Sequence, residues 1–588
     1  MPFFSSSPRT VRSPERVWGL RDWVAGVALF AATAGVVLWQ NAHVAVLFDL
    51  SYILNTATRI AQGQIPYRDF PLAHAPLTFL IQAAIIRLTG RVFFHHVLCV
   101  AFVGGIGTVL AWRVALETLR RRVAAAWTVA LFVAAPLAAV GIYCIVPNPE
   151  YDCDCAFSIL VAVWLLRKLD KKSNAAWGFA AGVFISVPLF FKQNMGLPFL
   201  VTVVGAVLLV FAMKRLRRGQ APAALPETRA LLSVVAGTCA ALLAAVLVLH
   251  WTAGIGNYVQ WTMRYAAARR LPGSSDMLGV YSDPSLVWTV PSVAAALVVL
   301  RSGLGKKRWA QIAALALLAA PFLFTLASLL ILDDADSRGD SLLALWPLLL
   351  LFAAAMAITN LLGLRREPRL SALLPLVLLA AIHGTFMSQQ LWGSTYAIWP
   401  LLMLLVAEML ASLEYFASRA AARWFVPALA ALISVTLLVC GGLYTASEER
   451  LSYANLPDGP AAHSAFAALA GLATPGPYVP EIDELLRYSQ ANIPFDDGIV
   501  SIPGEEPFYF ATGRSPRFPV PFFDPTIDPY SPAEIVSLVQ THNIRWLIVK
   551  TDVQTKEDPT PDRAELLRLL TQEFTPTAHL RGYEVYRR

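Results

Sequence analysis

The sequence predicts an α-helical polytopic membrane protein that carries a small α/β domain at its C-terminal end. Three observations lead there. The 588-residue chain is 57% hydrophobic and only 15% charged, with a mean hydropathy of +0.56, whereas a soluble domain carries about 25% charged residues. Its apolar residues gather in runs long enough to cross about 30 Å of hydrocarbon. After Tyr444 the composition turns polar, charged and proline-rich and stays so to the end.

Candidate spans lie near 22–47, 92–117, 124–146, 195–213, 229–251, 285–301, 309–332, 341–363, 370–388, 395–415 and 424–445, with two shorter ones near 154–168 and 176–191. The first run exceeds the roughly 7 to 15 apolar residues of a signal-peptide core, so it reads as an uncleaved span. The net charge of +8 raises the question of nucleic acid, but the Lys and Arg residues stand in short clusters between apolar runs. That is a positive-inside pattern, which argues against a nucleic-acid partner.

The clusters also fix how Pro76–Gly90 is counted. It is short for a span and reads as a helix lying along the outer surface. Kept outside, it leaves Arg120-Arg121-Arg122, Arg167-Lys168 with Lys171-Lys172, Lys214-Arg215 with Arg217-Arg218, Lys306-Lys307-Arg308, Arg365-Arg366 with Arg369, and Arg419 with Arg423 on the same side as Arg9, Arg12, Arg16 and Arg21. Counted as a span, it would turn every later cluster outward. The expectation is about 13 spans in the inner (plasma) membrane, with the N-terminus cytoplasmic and the C-terminus outside. The chain then divides into a cytoplasmic segment, 1–21, a transmembrane domain, 22–445, whose first outer loop is 48–91, and an extracytoplasmic domain, 446–588.

Within that last part, Ile499–Ile502 and Arg545–Lys550 read as strands, Ser531-Pro532-Ala533-Glu534 opens a helix, Pro561–Phe574 is an amphipathic helix, and Gly582–Arg587 is a terminal strand. It holds no G-x-S-x-G elbow, HExxH pair or phosphate-cradling glycine loop. Of the six cysteines, only Cys153 and Cys155 fall in an evident loop. A C-x-C pair is too close for an easy disulfide and too small for a zinc site, so unpaired thiols are expected.

Chemistry-bearing residues collect in the outer loops. Phe48-Asp49 follows the first span, then come Pro66-Tyr67-Arg68-Asp69-Phe70 and His74-Ala75-Pro76-Leu77, with Glu150, Asp152 and Asp154 in the second loop. An ionised group at a helix centre costs roughly 2.5 to 3.5 kcal/mol even on the mild insertion scale, so charge at a membrane edge either reaches water or serves a buried site. Asp49 reads as an interfacial cap or as a carboxylate able to take a hydroxyl proton. Lys192-Gln193-Asn194 interrupts an apolar stretch, and its lysine is either a snorkelling turn residue or a point-charge partner for phosphate. Arg264, Arg269 and Arg270, near Trp261 and Tyr265 in the loop Tyr258–Arg270, are interfacial anchors or further anion partners. The acids Asp276, Asp283 and Asp333–Asp340 read as solvated loop charges.

An early Asp in the first outer loop, a G-x-x-P-Y-x-D-F stretch from Gly63 to Phe70, H-x-P-L from His74 to Leu77 and the Lys192 turn together resemble the glycosyltransferase-C superfamily, nearest its protein-mannosyltransferase-like and lipid A aminoarabinose-transferase-like branch. The likeness is clearest over residues 20 to 215. It implies juxtamembrane helices in the first outer loop and a polyprenyl-phosphate sugar donor. It further implies Asp49 as general base, Asp69 as a second acid of the site, and His74 and Lys192 on the donor phosphate. Arg264 joins them as an anion partner. Glu150 or Asp152 would take the acidic position that some members use for acceptor or metal, with the choice among Glu150, Asp152 and Asp154 open.

The resulting expectation is a glycosyltransferase that moves a sugar, hexosyl or pentosyl, to a lipid, glycan or protein hydroxyl outside the membrane. It needs no cofactor, because polyprenyl phosphate leaves as a stable anion, although a divalent metal is compatible with the site. The rival readings are a lipid-linked-sugar flippase, for which inverted repeats are expected and none is evident, and a glycan polymerase or ligase, which would carry its chemistry in a large late outer loop.

Overall fold

The computed structural model describes residues 18–120, 122–169, 174–216, 225–270, 278–332, 344–364, 368–387, 397–447, 449–525 and 527–588. Arg9, Arg12, Arg16, Arg121, Lys171, Lys172, Arg217, Arg218, Asp276, Asp333–Asp340, Arg365 and Arg366 lie outside the described residues.

Helices dominate. The first ten are α1 (Leu20–Asn41), α2 (Leu47–Ala61), α3 (Leu77–Thr89), α4 (Phe93–Leu119), α5 (Ala126–Ala134), α6 (Leu137–Val140), α7 (Tyr151–Leu169), α8 (Ala175–Phe191), α9 (Gln193–Leu216) and α10 (Leu225–Thr252). Further apolar helices cover Leu286–Arg301, Arg308–Ile331, Trp346–Gly363, Leu374–Thr385, Trp399–Ser412 and Arg419–Ala446. Among the described residues, seven helices are long and apolar enough to cross a membrane, and five more apolar helices are shorter. The architecture is that of a multi-pass membrane protein.

Small residues set how closely these helices pack. A Cβ at Gly178 or Gly182 of α8 would stand 2.3 Å from the Ala230 carbonyl or 2.0 Å from that of Val234, both on α10. Only hydrogen at these positions allows so close an approach. Thr238 seals the contact by donating to the Gly182 carbonyl at 3.1 Å.

Two segments differ from the sequence expectation, and a third, Pro76–Gly90, meets it. The span expected at 124–146 is helical only to Val140 and breaks at Pro136, so residues 141–150 run as buried irregular chain. Such backbone is tolerated at this depth because protein, not lipid, surrounds it. Helix α7 begins at Tyr151, which moves Asp152, Cys153, Asp154 and Cys155 out of a loop and into its first turns, all four buried. Pro76–Gly90 forms α3, at 13 residues far short of the membrane thickness.

The C-terminal part contains a two-stranded antiparallel ribbon, β1 (Ala462–His463) with β2 (Ala473–Thr474), and a four-stranded sheet. The sheet comprises β3 (Gly498–Ile502), β4 (Ile544–Lys550), β5 (Thr575–Leu580) and β6 (Tyr583–Arg587) in the order β3-β4-β6-β5. Strands β3 and β4 are parallel, and β6 runs antiparallel to β4 and β5. The capping box at Ser531 and Glu534 starts the helix Pro532–Thr541 as the sequence suggests. The expected helix 561–574 is shorter, Arg563–Leu570, because Thr575–Leu580 pairs as a strand, and the helix Tyr478–Asn492 was not foreseen.

Alternation along β4 divides the core. Leu547 and Val549 join Val500, Ile502, Ile535, Leu566 and Leu570 on one face. Trp546 and Ile548 join Ile499, Tyr583 and Val585 on the other, together with Leu50, Leu54, Phe79 and Phe93 of the first outer loop and α4. The outer loop and the C-terminal part therefore share one hydrophobic core.

Polar contacts fix the docking. Ser51, Asn55 and Arg59 recur every four residues along one face of α2. Ser51 Oγ donates to Gly504 O at 3.0 Å, Asn55 Nδ2 to Glu506 O at 3.0 Å, and Arg59 Nη2 to Phe518 O at 2.7 Å. Asn55 Oδ1 also accepts from the Tyr509 and Phe510 amides, at 3.1 and 3.2 Å. Burial lowers the pKa of Arg59 to about 10.

Beneath this contact, Lys550 and Glu505 form a fully buried ion pair at 2.7 Å. The Glu505 carboxylate also accepts from the amides of Gln554 (2.8 Å) and Thr555 (3.0 Å). Replacing Glu505 by Ala strands a buried ammonium and two amides together, whereas Lys550→Met leaves both amides satisfied. Both changes are expected to destabilise the sheet by about 3 to 5 kcal/mol, with Glu505→Ala the worse. Native-state hydrogen exchange of the β4 amides measures this.

Candidate active site

Asp49 lies in the first turn of α2. The turn is held by the Gln554 side chain, whose Oε1 accepts from Leu47 N at 2.7 Å and whose Nε2 donates to Ala45 O at 3.0 Å. The backbone around Gln554 meanwhile pairs with the segment that follows the last long helix. Asn455 N donates to Gln554 O at 2.6 Å, Lys556 N donates to Tyr453 O at 3.0 Å, and Ala454 bridges Thr555. One short stretch therefore holds both Asp49 and Tyr453, and the Tyr453 hydroxyl donates to Asp49 Oδ2 at 2.7 Å. Phe48 stands edge-on to Phe522 with ring centres 4.4 Å apart, which brings the loop carrying Asp524 against the same turn.

Asp49 lies deep in protein yet is only partly covered, and Tyr453 is 39% exposed. Burial raises the Asp49 pKa to about 6, against the opposing hydrogen bond from Tyr453 and with help from the charges of Asp524 and Asp152.

On the helical side, the Asp152 carboxylate pairs with the Lys192 ammonium, which also stands 5.2 Å from the centre of the Tyr151 ring. Lys192 is the extended residue between α8 and α9. Glu150 is buried beside this pair, and burial, then the charges of Asp152 and Asp49, push its carboxyl well above the usual range. His74 stacks on Tyr151 at 4.3 Å, and its Nδ1 lies 2.9 Å from the Tyr52 hydroxyl. Asp154 serves differently. Its oxygens accept from Thr78 of α3 at 2.7 Å and from Tyr143 at 2.6 Å, so it binds the juxtamembrane helix to the bundle.

The structure thus gathers Asp49, Glu150, Asp152, Lys192 and His74 around Tyr151 and Tyr453. Two expected members stand elsewhere. Asp69 is exposed, closes its own turn by accepting from Ile65 N at 2.7 Å, and pairs with Arg68, which lowers its pKa. Arg264 lies exposed on a π-helical turn, Gln260–Tyr265, rather than in a loop. Tyr453 and Asp524 went unnoticed in the sequence. Asp524 had a faint signal as an acid after Pro521-Phe522-Phe523, whereas Tyr453 had none. Among the described residues, no group of three His, Cys, Asp or Glu side chains is placed to hold a metal ion.

No family model and no curated protein matches this chain. Several solved structures are similar to it. One is the apo oligosaccharyltransferase of Archaeoglobus fulgidus, at 13% identity over 91% of this chain and 70% of that chain, with a TM-score of 0.47. Another is ArnT from Cupriavidus metallidurans bound to undecaprenyl phosphate, at 12% identity over 97% and 98%, with a TM-score of 0.45. A third is the arabinosyltransferase EmbB from Mycobacterium smegmatis, at 13% identity over 74% and 42%, with a TM-score of 0.36.

A cavity of about 450 Å³ lies against α3, lined almost wholly by apolar groups of the 60–67 segment, α3, α8 and α10, including Leu80, Val187, Phe190 and Val248. Tyr67, in its wall, donates to the His74 carbonyl at 2.8 Å, and Phe190 stands two residues before Lys192.

The raised pKa of Asp49 has a stability consequence. Between the ordinary 3.8 and about 6, the folded protein keeps a proton that the unfolded chain has released, so stability falls as pH rises through this window. Asp49→Asn, which cannot ionise, is expected to unfold at a higher temperature than the parent above about pH 6, with the gap closing below 3.8. Thermal unfolding of the detergent-solubilised protein across pH checks it.

Proposed function

We propose that the protein is a membrane glycosyltransferase of the glycosyltransferase-C type. It moves a sugar from a polyprenyl-phosphate carrier to a hydroxyl of a lipid, glycan or protein on the extracytoplasmic face of the inner membrane. The observation that carries this reading is Asp49. It is a half-buried carboxylate with a pKa raised to about 6, hydrogen-bonded to Tyr453 and grouped with the buried Asp152–Lys192 pair.

Each part has a role. The Asp49 carboxylate takes the acceptor hydroxyl proton while that oxygen bonds to the anomeric carbon. The bond from that carbon to the phosphate oxygen breaks, and polyprenyl phosphate departs with the electron pair, inverting the anomeric centre. A base whose pKa lies near the working pH is ionised yet basic enough to act. Lys192, released from Asp152 by the incoming phosphate, balances the charge on the leaving group. His74, stacked on Tyr151 beside Lys192, is the second partner for the phosphate in this reading. The apolar cavity, within the usual range of about 300 to 1,000 Å³ for ligand sites, suits part of an isoprenoid chain. No step requires a metal. In this arrangement the N-terminus is cytoplasmic, and the C-terminal domain and the cluster lie outside.

Asp49→Asn is expected to lower transfer by about 10²- to 10⁴-fold, the usual range for removing a general base, while expression is unchanged. Mass spectrometry of envelope glycans and glycolipids from a deletion strain, complemented with parent or variant, reads this out. Restoration of the missing sugar by the Asn variant at parental level would sink the assignment.

A further inference from the structure

We propose that Tyr453 is the positioning residue of Asp49 and that Asp524 completes its setting, so that the C-terminal domain builds part of the site; this rests on reading Asp49 as the base. The geometry carries the argument. The Tyr453 hydroxyl donates to Asp49 Oδ2 at 2.7 Å, leaving Oδ1 as the oxygen for an acceptor hydroxyl. Tyr453 does not swing freely, because its own carbonyl accepts from Lys556 and its neighbours pair with Gln554 and Thr555. The same Gln554 side chain holds the peptide that opens the turn of Asp49. Both ends of the hydrogen bond are thereby fixed to one element, which Glu505 and Lys550 anchor in the core.

Two different electrostatic effects meet at Asp49. A donated hydrogen bond favours the carboxylate, whereas a nearby like charge disfavours it. Tyr453 supplies the first through its hydrogen bond, and Asp524, buried two residues beyond Phe522 whose ring packs on Phe48 at 4.4 Å, supplies the second. The other groups facing this place are Asp152 and Glu150 from the helical side, with Lys192 acting on Glu150 and Arg450 acting on Tyr453. A chain without the C-terminal domain would lose the orienting donor and the buried charge together.

The test uses the full-length protein in detergent and needs no substrate. Dicyclohexylcarbodiimide condenses with protonated carboxyls, so the pH dependence of its labelling at Asp49, followed by peptide mass spectrometry, reports the midpoint of that group. Tyr453→Phe keeps the ring and is expected to move the midpoint up by about one pH unit. Asp524→Asn is expected to move it down by a similar amount, each about a tenfold change in the ratio of ionised to protonated Asp49. Opposite shifts support the proposal. An unmoved midpoint in both variants, or shifts in the same direction as general loosening would give, overturns it. Transfer is assayed in parallel. Full activity of Asp49→Asn removes the reading of Asp49 as a base without altering the labelling result, so the two failures are distinguishable.

Discussion

The carboxylate of Glu505 carries more of this structure than any other single group. It neutralises Lys550 in a place with no access to water, and it accepts the two amides that fix the bend at Gln554 and Thr555. An isolated buried ion pair is weak evidence for stability, since desolvation offsets most of the attraction. Here the carboxylate also satisfies backbone donors that would otherwise be orphaned, so an apolar replacement of the pair could not reproduce its role. From that bend the order spreads to both Asp49 and Tyr453. The Gln554 side chain reaches the start of α2, and its backbone reaches Asn455.

One consequence is that the first outer loop and the C-terminal part behave as a single body. Helix α2 is amphipathic, but its polar face does not meet solvent. Ser51, Asn55 and Arg59 spend their hydrogen bonds on carbonyls of residues 504 to 518, and the opposite face packs into the core shared with β4 and β6. Asp49 and Tyr453 belong to this body, whereas Asp152 and Lys192 stand at the ends of α7 and α8. The acids of the site differ in role because their partners differ. Asp49 faces a phenol and other acids, Asp152 has a cation, and Asp154 has two hydroxyls.

Much of this was legible in the sequence. Hydropathy alone gave the helical bundle, because a run of apolar residues has few other uses, and the strands expected at Arg545–Lys550 and Gly582–Arg587 form as Ile544–Lys550 and Tyr583–Arg587. The positions of the Lys and Arg clusters kept Pro76–Gly90, which forms the short α3, out of the count of spans. Asp49, Glu150, Asp152, His74 and Lys192 were marked by charge at a membrane edge. The same rule also marked Asp69 and Arg264, because cost of burial identifies a charge that must be accommodated without saying whether water or protein does so. Asp69 met that requirement with a turn and Arg68.

Patterns along the chain fixed what could be buried, in apolar spans and in the strands of the C-terminal part. What polar side chains such as Ser51, Asn55 and Arg59 bind came from the folding together of distant segments. A hydrogen-bonding side chain is satisfied equally well by water or by a peptide carbonyl, and pattern cannot distinguish the two. Tyr453 shows the limit most clearly. Its approach to Asp49 joins residues 404 positions apart, and it exists because the bend at Gln554, closed by Glu505, holds both partners at once.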